Sequence, residues 1–264
     1  MELFFWSRGD LHKIVAVSDP LQQVVIFAGG LGTRLGERTR QTPKPIIPVA
    51  GKAYLEWQIE MLSEWGFRKF LLLTGYLAEQ IEGYFGDGTR WNVKVEYSHE
   101  PMPLGTAAAL RLSEPKLHNR FLLMNGDTFF PMNYSAFLQA AATEPGKAWL
   151  VAVPRNVLEP GAPRGNVELD ASQRRVTGYV RGGRDDLDFV HAGMFCLQRS
   201  MLANMQQGEG LSVEMALCPS LIEQDRLRAF VCHERFYDMG TPQQLQELDA
   251  FLSREGVQRK QKQN

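Results

Sequence analysis

The chain predicts an α/β fold, a mostly parallel mixed sheet with helices on both faces, and three observations lead there. From Gln22 onward, short apolar runs of strand length alternate with segments of helical period. Glycine, proline and acidic turn signals separate the runs. The alternation repeats as β-α-β, and such crossovers bring successive strands side by side and parallel. With 264 residues, 44% of them hydrophobic and 22% charged, the chain buries a substantial core as one large domain or two small ones.

The elements follow in order. Residues 1–21 match no element well and are set apart as an N-terminal extension ending near Asp19-Pro20. Gln23–Phe27 is the first strand. A helix from about Ala53 to Trp65 carries Leu55, Ile59 and Leu62 at helical spacing. The buried strand Phe70–Leu73 runs into Thr74-Gly75 and a helix from Leu77 to Phe85. The strand Val93–Tyr97 alternates strictly, and after Pro103-Leu104-Gly105-Thr106 an alanine-rich helix reaches Leu112. Then come the strand Phe121–Met124, the loop Asn125-Gly126-Asp127-Thr128, a helix over Tyr134–Ala142 and the strand Trp149–Val153. The second half is less regular. Short strands at Val167–Asp170, Val176–Val180 and Phe189–Leu197 are parted by turns such as Arg181-Gly182-Gly183. Two helices near Ser212–Leu217 and Ser220–Gln224 precede the strand Leu227–Val231 and a closing helix from Pro242 to Leu252. The main domain spans 22–254, and 255–264 form a polar tail prone to fraying.

Bulk properties exclude several classes. A net charge of −1 gives no field to recruit nucleic acid or an anionic membrane. Cys196, Cys218 and Cys232 are odd in number and widely spaced without a C-x-x-C pair, which favours buried thiols in a reducing compartment over zinc or disulfides. The longest nearly uncharged stretch, Phe121–Thr143, is broken by Asn125, Asp127, Pro131 and Asn133, so no membrane span is expected. Leu3-Phe4-Phe5-Trp6 is too short for a signal-peptide core, and a cytoplasmic protein follows. Apolar residues in the N-terminal extension leave room for a homodimer.

The first strand feeds Phe27-Ala28-Gly29-Gly30-Leu31-Gly32-Thr33-Arg34-Leu35-Gly36, with three glycines in four residues. Ligands of parallel sheets sit beyond the carboxyl ends of the strands, and a loop without side chains there lets backbone N–H groups approach a polyanion. The glycine spacing fits neither G-x-G-x-x-G nor the P-loop. Pro43 and Pro45 bracket Lys44 and hold it on a stiff, non-helical backbone. That bracing is wasted on a solvated lysine, so Arg34 and Lys44 read as fixed cations at a nucleoside triphosphate site rather than as part of an ordinary glycine-rich turn. Asp127 follows a buried strand and cannot turn into the core without large cost. Asp238 sits in an aromatic-flanked loop before Gly240. Converging beside a phosphate loop, the two carboxylates suggest a Mg²⁺ site. For Asp127 alone, a turn-forming role through its own backbone is the competing reading.

Five segments in this order resemble the motif series of the sugar-1-phosphate nucleotidylyltransferases: Phe27–Leu35, Pro43-Lys44-Pro45, Pro103-Leu104-Gly105-Thr106-Ala107, Asn125-Gly126-Asp127-Thr128 and Tyr237-Asp238-Met239-Gly240-Thr241-Pro242. The likeness runs from about Val24 to Leu252 and is greatest to the mannose-1-phosphate and D-glycero-D-manno-heptose-1-phosphate guanylyltransferase branch. It implies a Rossmann-like nucleotidyltransferase fold without a β-helix domain, and substrates that are a nucleoside triphosphate, GTP first, and a sugar 1-phosphate. It further implies that Ala28, Gly29, Gly30, Gly32 and Thr33 hold the triphosphate, with Arg34 on its outer phosphates and Lys44 by the α-phosphate. Gly105 and Thr106 would form part of the base and ribose pocket, Asp127 and Asp238 would bind Mg²⁺, and Gly165 and Gly193 would line the sugar side. Where many relatives carry Glu-Lys-Pro this chain has Arg181-Gly182-Gly183, so Arg181 is the candidate for the lost sugar-phosphate cation. His191 stands where relatives often have Asn, as a sugar contact or a structural histidine, and Ala108 replaces a frequent Gly. The missing pair also keeps a second function in view, that of an inactive paralogue binding nucleotide-sugar as a regulatory subunit. Uridylyl or thymidylyl transfer is a third.

Overall fold

The computed structural model describes residues 23–159, 162–208 and 210–261, with the backbone alone for 255–261. The N-terminal extension and the last three residues of the tail lie outside the described residues. The elements are β1 (Gln23–Phe27), α1 (Arg38–Gln41), β2 (Pro48–Val49), β3 (Lys52–Ala53), α2 (Tyr54–Glu64), β4 (Lys69–Thr74), α3 (Ala78–Phe85), β5 (Lys94–His99), α4 (Thr106–Leu112), β6 (Arg120–Asn125), β7 (Thr128–Phe129), α5 (Tyr134–Ala142), β8 (Ala148–Pro154), β9 (Gly165–Leu169), β10 (Val176–Arg184), β11 (Phe189–Gln198), α6 (Val213–Glu223), β12 (Leu227–Val231), β13 (Tyr237–Asp238) and α7 (Pro242–Gln261).

Among the described residues nine strands form one mixed sheet. β5, β4, β1 and β6 run parallel in that order, so the loops after Phe27, Thr74, His99 and Asn125 emerge at one edge. β11 lies antiparallel beside β6 and is also antiparallel to β8, which β12 extends in parallel. Its register against β8 breaks between His191 and Phe195, around Gly193 at φ +66°. The β9–β10 hairpin attaches at the start of β11. Alternation along β1 supplies both faces: Val24 and Ile26 join a core under α2, α3, α5 and α7, and Val25 joins one under α4 and α6.

Three expectations change. α6 is one helix running through Pro219, not two. The lost N–H and the ring disfavour this, yet Ala216, Leu217 and Leu221 on either side of the proline are all buried against the sheet and hold it in register. β10 does not turn at Arg181 but continues to Arg184 through a bulge, with Gly182 and Gly183 at φ +76° and +71°. α7 runs nine residues past Leu252, so the polar tail is helical as far as Gln261. Among the described residues no helix is long and apolar enough to cross a membrane. Cys196, Cys218 and Cys232 are all buried thiols.

Candidate active site

The glycine run leaves β1 at the sheet's ligand edge and is tied to its neighbours. The Ala28 N–H donates to the Leu73 carbonyl at 2.8 Å, and the Gly29 carbonyl accepts from Tyr76 N–H at 3.3 Å. A Cβ on Gly29 would lie 2.9 Å from Glu100 Oε1 and 3.0 Å from Gly75 N, so the strand ends pack as bare backbone. Gly30 and Gly32 carry the chain into a 3-10 turn, Thr33–Leu35, that presents exposed Thr33 and Arg34. The hydroxyl of buried Thr39 reaches the carbonyls of both Gly32 and Gly36 at 3.1 Å and closes the loop from behind.

The two acids meet. β7 and β13, two residues each, pair antiparallel with Asp238 opposite Thr128, and the Asp127 carbonyl accepts from Met239 N–H at 3.0 Å. Thr128 Oγ1 donates to Asp238 Oδ1 at 2.8 Å. Burial first, and then the charge of Asp127, push the Asp238 carboxyl up to about 6, although Thr128, Lys44 and Arg34 all act to lower it. Pro43 is extended at ψ 143°, but Lys44 itself opens a 3-10 turn, Lys44–Ile46, and is not on the non-helical backbone expected; its Nζ donates to Asp127 Oδ2 at 2.7 Å. The Arg34 guanidinium lies against Gly240, where a Cβ would stand 3.1 Å from Nη2. Both cations and both acids named in the sequence therefore converge at the mouth of the glycine loop.

The flanking positions divide. Gly105 opens α4 at φ +87°, and a Cβ there would sit 2.9 Å from Gly210, so α4 and the Gly210–Leu211 segment touch backbone to backbone. The Thr106 hydroxyl oxygen accepts from Val213 N–H at 2.9 Å and ties α4 to the start of α6. A Cβ on Gly165 would be 2.0 Å from the Leu187 carbonyl, and one on Gly193 would be 2.4 Å from Asn125 Nδ2, beside the acid loop. Arg181 is exposed in the β10 bulge. His191 is buried with its ring toward α6, where Nε2 accepts from Met194 N–H at 3.2 Å and Nδ1 lies 4.0 Å from Glu214. Burial pushes its pKa down. Its burial and its bond to Met194 support the structural reading.

A family model described as nucleotidyl transferase matches residues 23–255, most of the chain. The chain belongs to the nucleotidyl transferase family. Its relatives include the mannose-1-phosphate guanylyltransferase of Mycobacterium tuberculosis, 28% identical over 87% of this chain and 64% of that protein. The D-glycero-alpha-D-manno-heptose 1-phosphate guanylyltransferase of Campylobacter jejuni is 28% identical over 84% of this chain and 96% of its own length. The N-acetylmuramate alpha-1-phosphate uridylyltransferase of Neisseria meningitidis is 30% identical over 87% and 97%. A crystal structure of HddC from Yersinia pseudotuberculosis complexed with GMP-PN superposes with a TM-score of 0.71 at 25% identity, covering 88% of this chain and 99% of that one. The chain spans 64% of the mycobacterial relative's length.

Within this nucleotidyltransferase, sequence reasoning missed a supporting set. Glu100 caps the end of β5: its N–H donates to the Thr74 carbonyl at 2.9 Å and its Oε2 accepts from Leu104 N–H at 3.2 Å. Its signal was an acid between a strand and the proline-rich 101–103 loop. Tyr54 and Gln58, one helical turn apart on α2, are wholly buried beneath the acid loop. Burial and then the charges of Asp127 and Asp238 raise the Tyr54 pKa well above its ordinary value. The donor set suits a hard divalent ion. Two carboxylates, one of them resisting ionisation, lack a countercharge that Lys44 and Arg34 only partly supply. Among the described residues no cluster of three or more His, Cys, Asp or Glu could cage an ion, so further ligands would be phosphate oxygens and water, the usual manner of holding Mg²⁺.

Proposed function

We propose that this chain transfers a nucleoside monophosphate from a nucleoside triphosphate, GTP first, to a sugar 1-phosphate, a heptose or mannose derivative, and releases pyrophosphate. The observation that carries this is the convergence of Asp127, Asp238, Lys44 and Arg34 at the mouth of the glycine loop. Relatives named for guanylyl and uridylyl transfer to sugar 1-phosphates support it.

A phosphate oxygen of the sugar phosphate attacks the α-phosphorus in line, the bond to the bridging α–β oxygen breaks, and pyrophosphate leaves with those electrons. The attacking oxygen is already anionic, so no strong general base is required. The demand on the protein is to gather anions and stabilise spreading charge. Gly29, Gly30 and Gly32 let the backbone approach the triphosphate with Ala28 and Thr33 alongside, Arg34 meets its outer phosphates and Lys44 the α-phosphate. Asp127 and Asp238 hold Mg²⁺, which supplies countercharge to the phosphate oxygens when bound. Gly165 and Gly193 line the sugar side, with Arg181 as the cation for the sugar phosphate. Gly105 and Thr106 shape the base pocket by packing on the Gly210–Val213 segment.

Glu100 favours guanine. Its carboxylate sits against Gly29 and Gly75 at the ligand edge. Guanine presents two adjacent donors, N1–H and the N2 amino group, to a carboxylate whose Oε2 accepts from Leu104 N–H and keeps a further lone pair beside those of Oε1. Uracil and thymine offer one N–H between two carbonyls, which a carboxylate repels. The test is a matrix of five nucleoside triphosphates against mannose-, heptose- and glucose-1-phosphate, read by pyrophosphate release. GTP with heptose- or mannose-1-phosphate should lead. Nucleotide binding without turnover on any pair would replace this reading with a regulatory subunit.

A further inference from the structure

We propose that Gln58 is a positioning residue for the acid turn: its amide spans the two carbonyls on either side of Gly126-Asp127 and sets where the Asp127 carboxylate stands. The inference rests on the nucleotidyl-transfer reading of the site. Gln58 Nε2 donates to the Asn125 carbonyl at 3.1 Å and to the Thr128 carbonyl at 2.9 Å. Asn125 is the last residue of β6 and Thr128 the first of β7, so one side chain bridges the base of the turn whose tip bears Asp127. The other sides of the turn leave little slack. A Cβ on Gly126 would stand 1.9 Å from the Phe27 carbonyl, so the turn lies directly on the end of β1, and Gly193 presses on Asn125 from β11. A change in the Asn125–Thr128 span therefore has one group free to move, the Asp127 side chain with its Lys44 partner.

The choice of glutamine is not explained by packing. Gln58 is fully buried among apolar neighbours of α2, and its Oε1 is a buried acceptor with no hydrogen-bond partner among the described residues. Leaving an amide oxygen dry is unfavourable, and a leucine or methionine of similar volume would avoid it. What only an amide supplies there is one nitrogen with two donors set to reach two carbonyls. Residues that orient a metal's ligands from behind have this character: they touch neither ion nor substrate, and their loss is felt through the ligand.

The test compares Gln58→Met with Leu217→Ala, a core lesion on the opposite face of the sheet. Mn²⁺ binding is titrated by electron paramagnetic resonance in the presence of a non-hydrolysable GTP analogue, alongside steady-state kinetics. Gln58→Met should weaken Mn²⁺ about 10- to 100-fold and lower kcat, with KM for both substrates nearly unchanged. Leu217→Ala should lose stability and keep its Mn²⁺ affinity. Unaltered Mn²⁺ affinity in Gln58→Met, or an equal loss in Leu217→Ala, overturns the positioning role. Should Gln58→Met not fold, the wild type still decides: the two Gln58 side-chain amide protons should exchange slowly and shift in nuclear magnetic resonance spectra when Mg²⁺ is added, and an unmoved pair rejects the proposal. Wild type that binds Mn²⁺ with Gln58 dependence yet releases no pyrophosphate would overturn the proposed reaction and leave this inference standing.

Discussion

Asp238→Asn in the metal-free protein tests the acid pair through stability. The Asp238 carboxyl titrates at about 6 in the fold against an ordinary 3.8, because it is buried and faces Asp127. At ~1.4 kcal/mol for each tenfold, keeping it ionised near neutral pH costs about 3 kcal/mol, and partial access to water reduces this to about 2 kcal/mol. The folded state binds this proton more tightly than the unfolded chain does. Its contribution is therefore complete below about pH 4 and is lost as pH rises through about 6. Melts in EDTA at about pH 5 and pH 7.5, followed by circular dichroism, should show wild type losing more stability with rising pH than the variant. About half of that contribution, about 1 kcal/mol, is still present at about pH 5, so the excess should be about 2–4 °C in Tm for a chain of this size. Asparagine keeps an oxygen for the Thr128 hydroxyl, so that bond survives in the variant. Adding Mg²⁺ should return most of the loss to wild type at the higher pH and little to the variant. Parallel pH slopes, or equal rescue by Mg²⁺, would refute the picture of two carboxylates awaiting a cation.

Lys44→Ala removes the partner 2.7 Å from Asp127 as well as the proposed α-phosphate cation. Turnover by pyrophosphate release should fall about 10²- to 10³-fold, and near-normal activity would reject the assignment. Glu100→Gln replaces one acceptor oxygen with a donor, so kcat/KM for GTP should drop about 10- to 100-fold while that for UTP holds or rises. An unchanged ranking of nucleotides would remove Glu100 from base selection. Tyr54→Phe deletes a buried hydroxyl that has no hydrogen-bond partner among the described residues. Urea unfolding of the metal-free variant should give stability equal to wild type or higher by up to about 1–3 kcal/mol, and a clear loss would show that the hydroxyl is engaged.

Where the chain repeats simple periods, the sequence was enough. α5 (Tyr134–Ala142), β1 and β12 begin and end at the residues expected from apolar spacing and turn chemistry, and α4 ends at Leu112 as expected but begins within the preceding motif at Thr106. The glycine run and the bracketed Lys44 were legible because glycine and proline act on their own backbone, whatever the rest of the fold does. The joining of Asp127 to Asp238 was inferred from their places beside the phosphate loop, with no pairing signal in the sequence to carry it. It depends on β7 and β13, strands of two residues whose partners are some 110 positions apart, too short for any period to register. Pro219 misled for the opposite reason: a strong local signal was overruled by burial of α6 on both sides of it. Gln58 was hidden in plain pattern, since it is one of several polar residues inside Tyr54–Glu64, beside Glu56 and Glu60, and nothing sets it apart until its two carbonyl partners are known.

The site only partly balances its own charge before any substrate arrives. Asp127 and Asp238 contribute two negative groups, Lys44 and Arg34 two positive ones, and the pairing is uneven: Lys44 is committed to Asp127, while Arg34 acts on Asp238 without a direct ion pair. On the proposed reading, a triphosphate entering this cleft would carry more negative charge than Arg34 alone can meet, and Lys44 would turn from the carboxylate to the phosphate. That turn would leave Asp127 without its cation, and Asp127 with Asp238 would then be the residues to hold a divalent ion that supplies countercharge. Substrate binding is then an exchange of partners in which the number of unpaired buried charges never rises, which keeps the desolvation cost of each intermediate arrangement low. The same logic requires a rigid turn beneath Asp127. A carboxylate free to follow the departing lysine would stay paired with it, whereas one held at the end of β6 by Gln58 and the bare backbone of Gly126 stays behind to meet the ion.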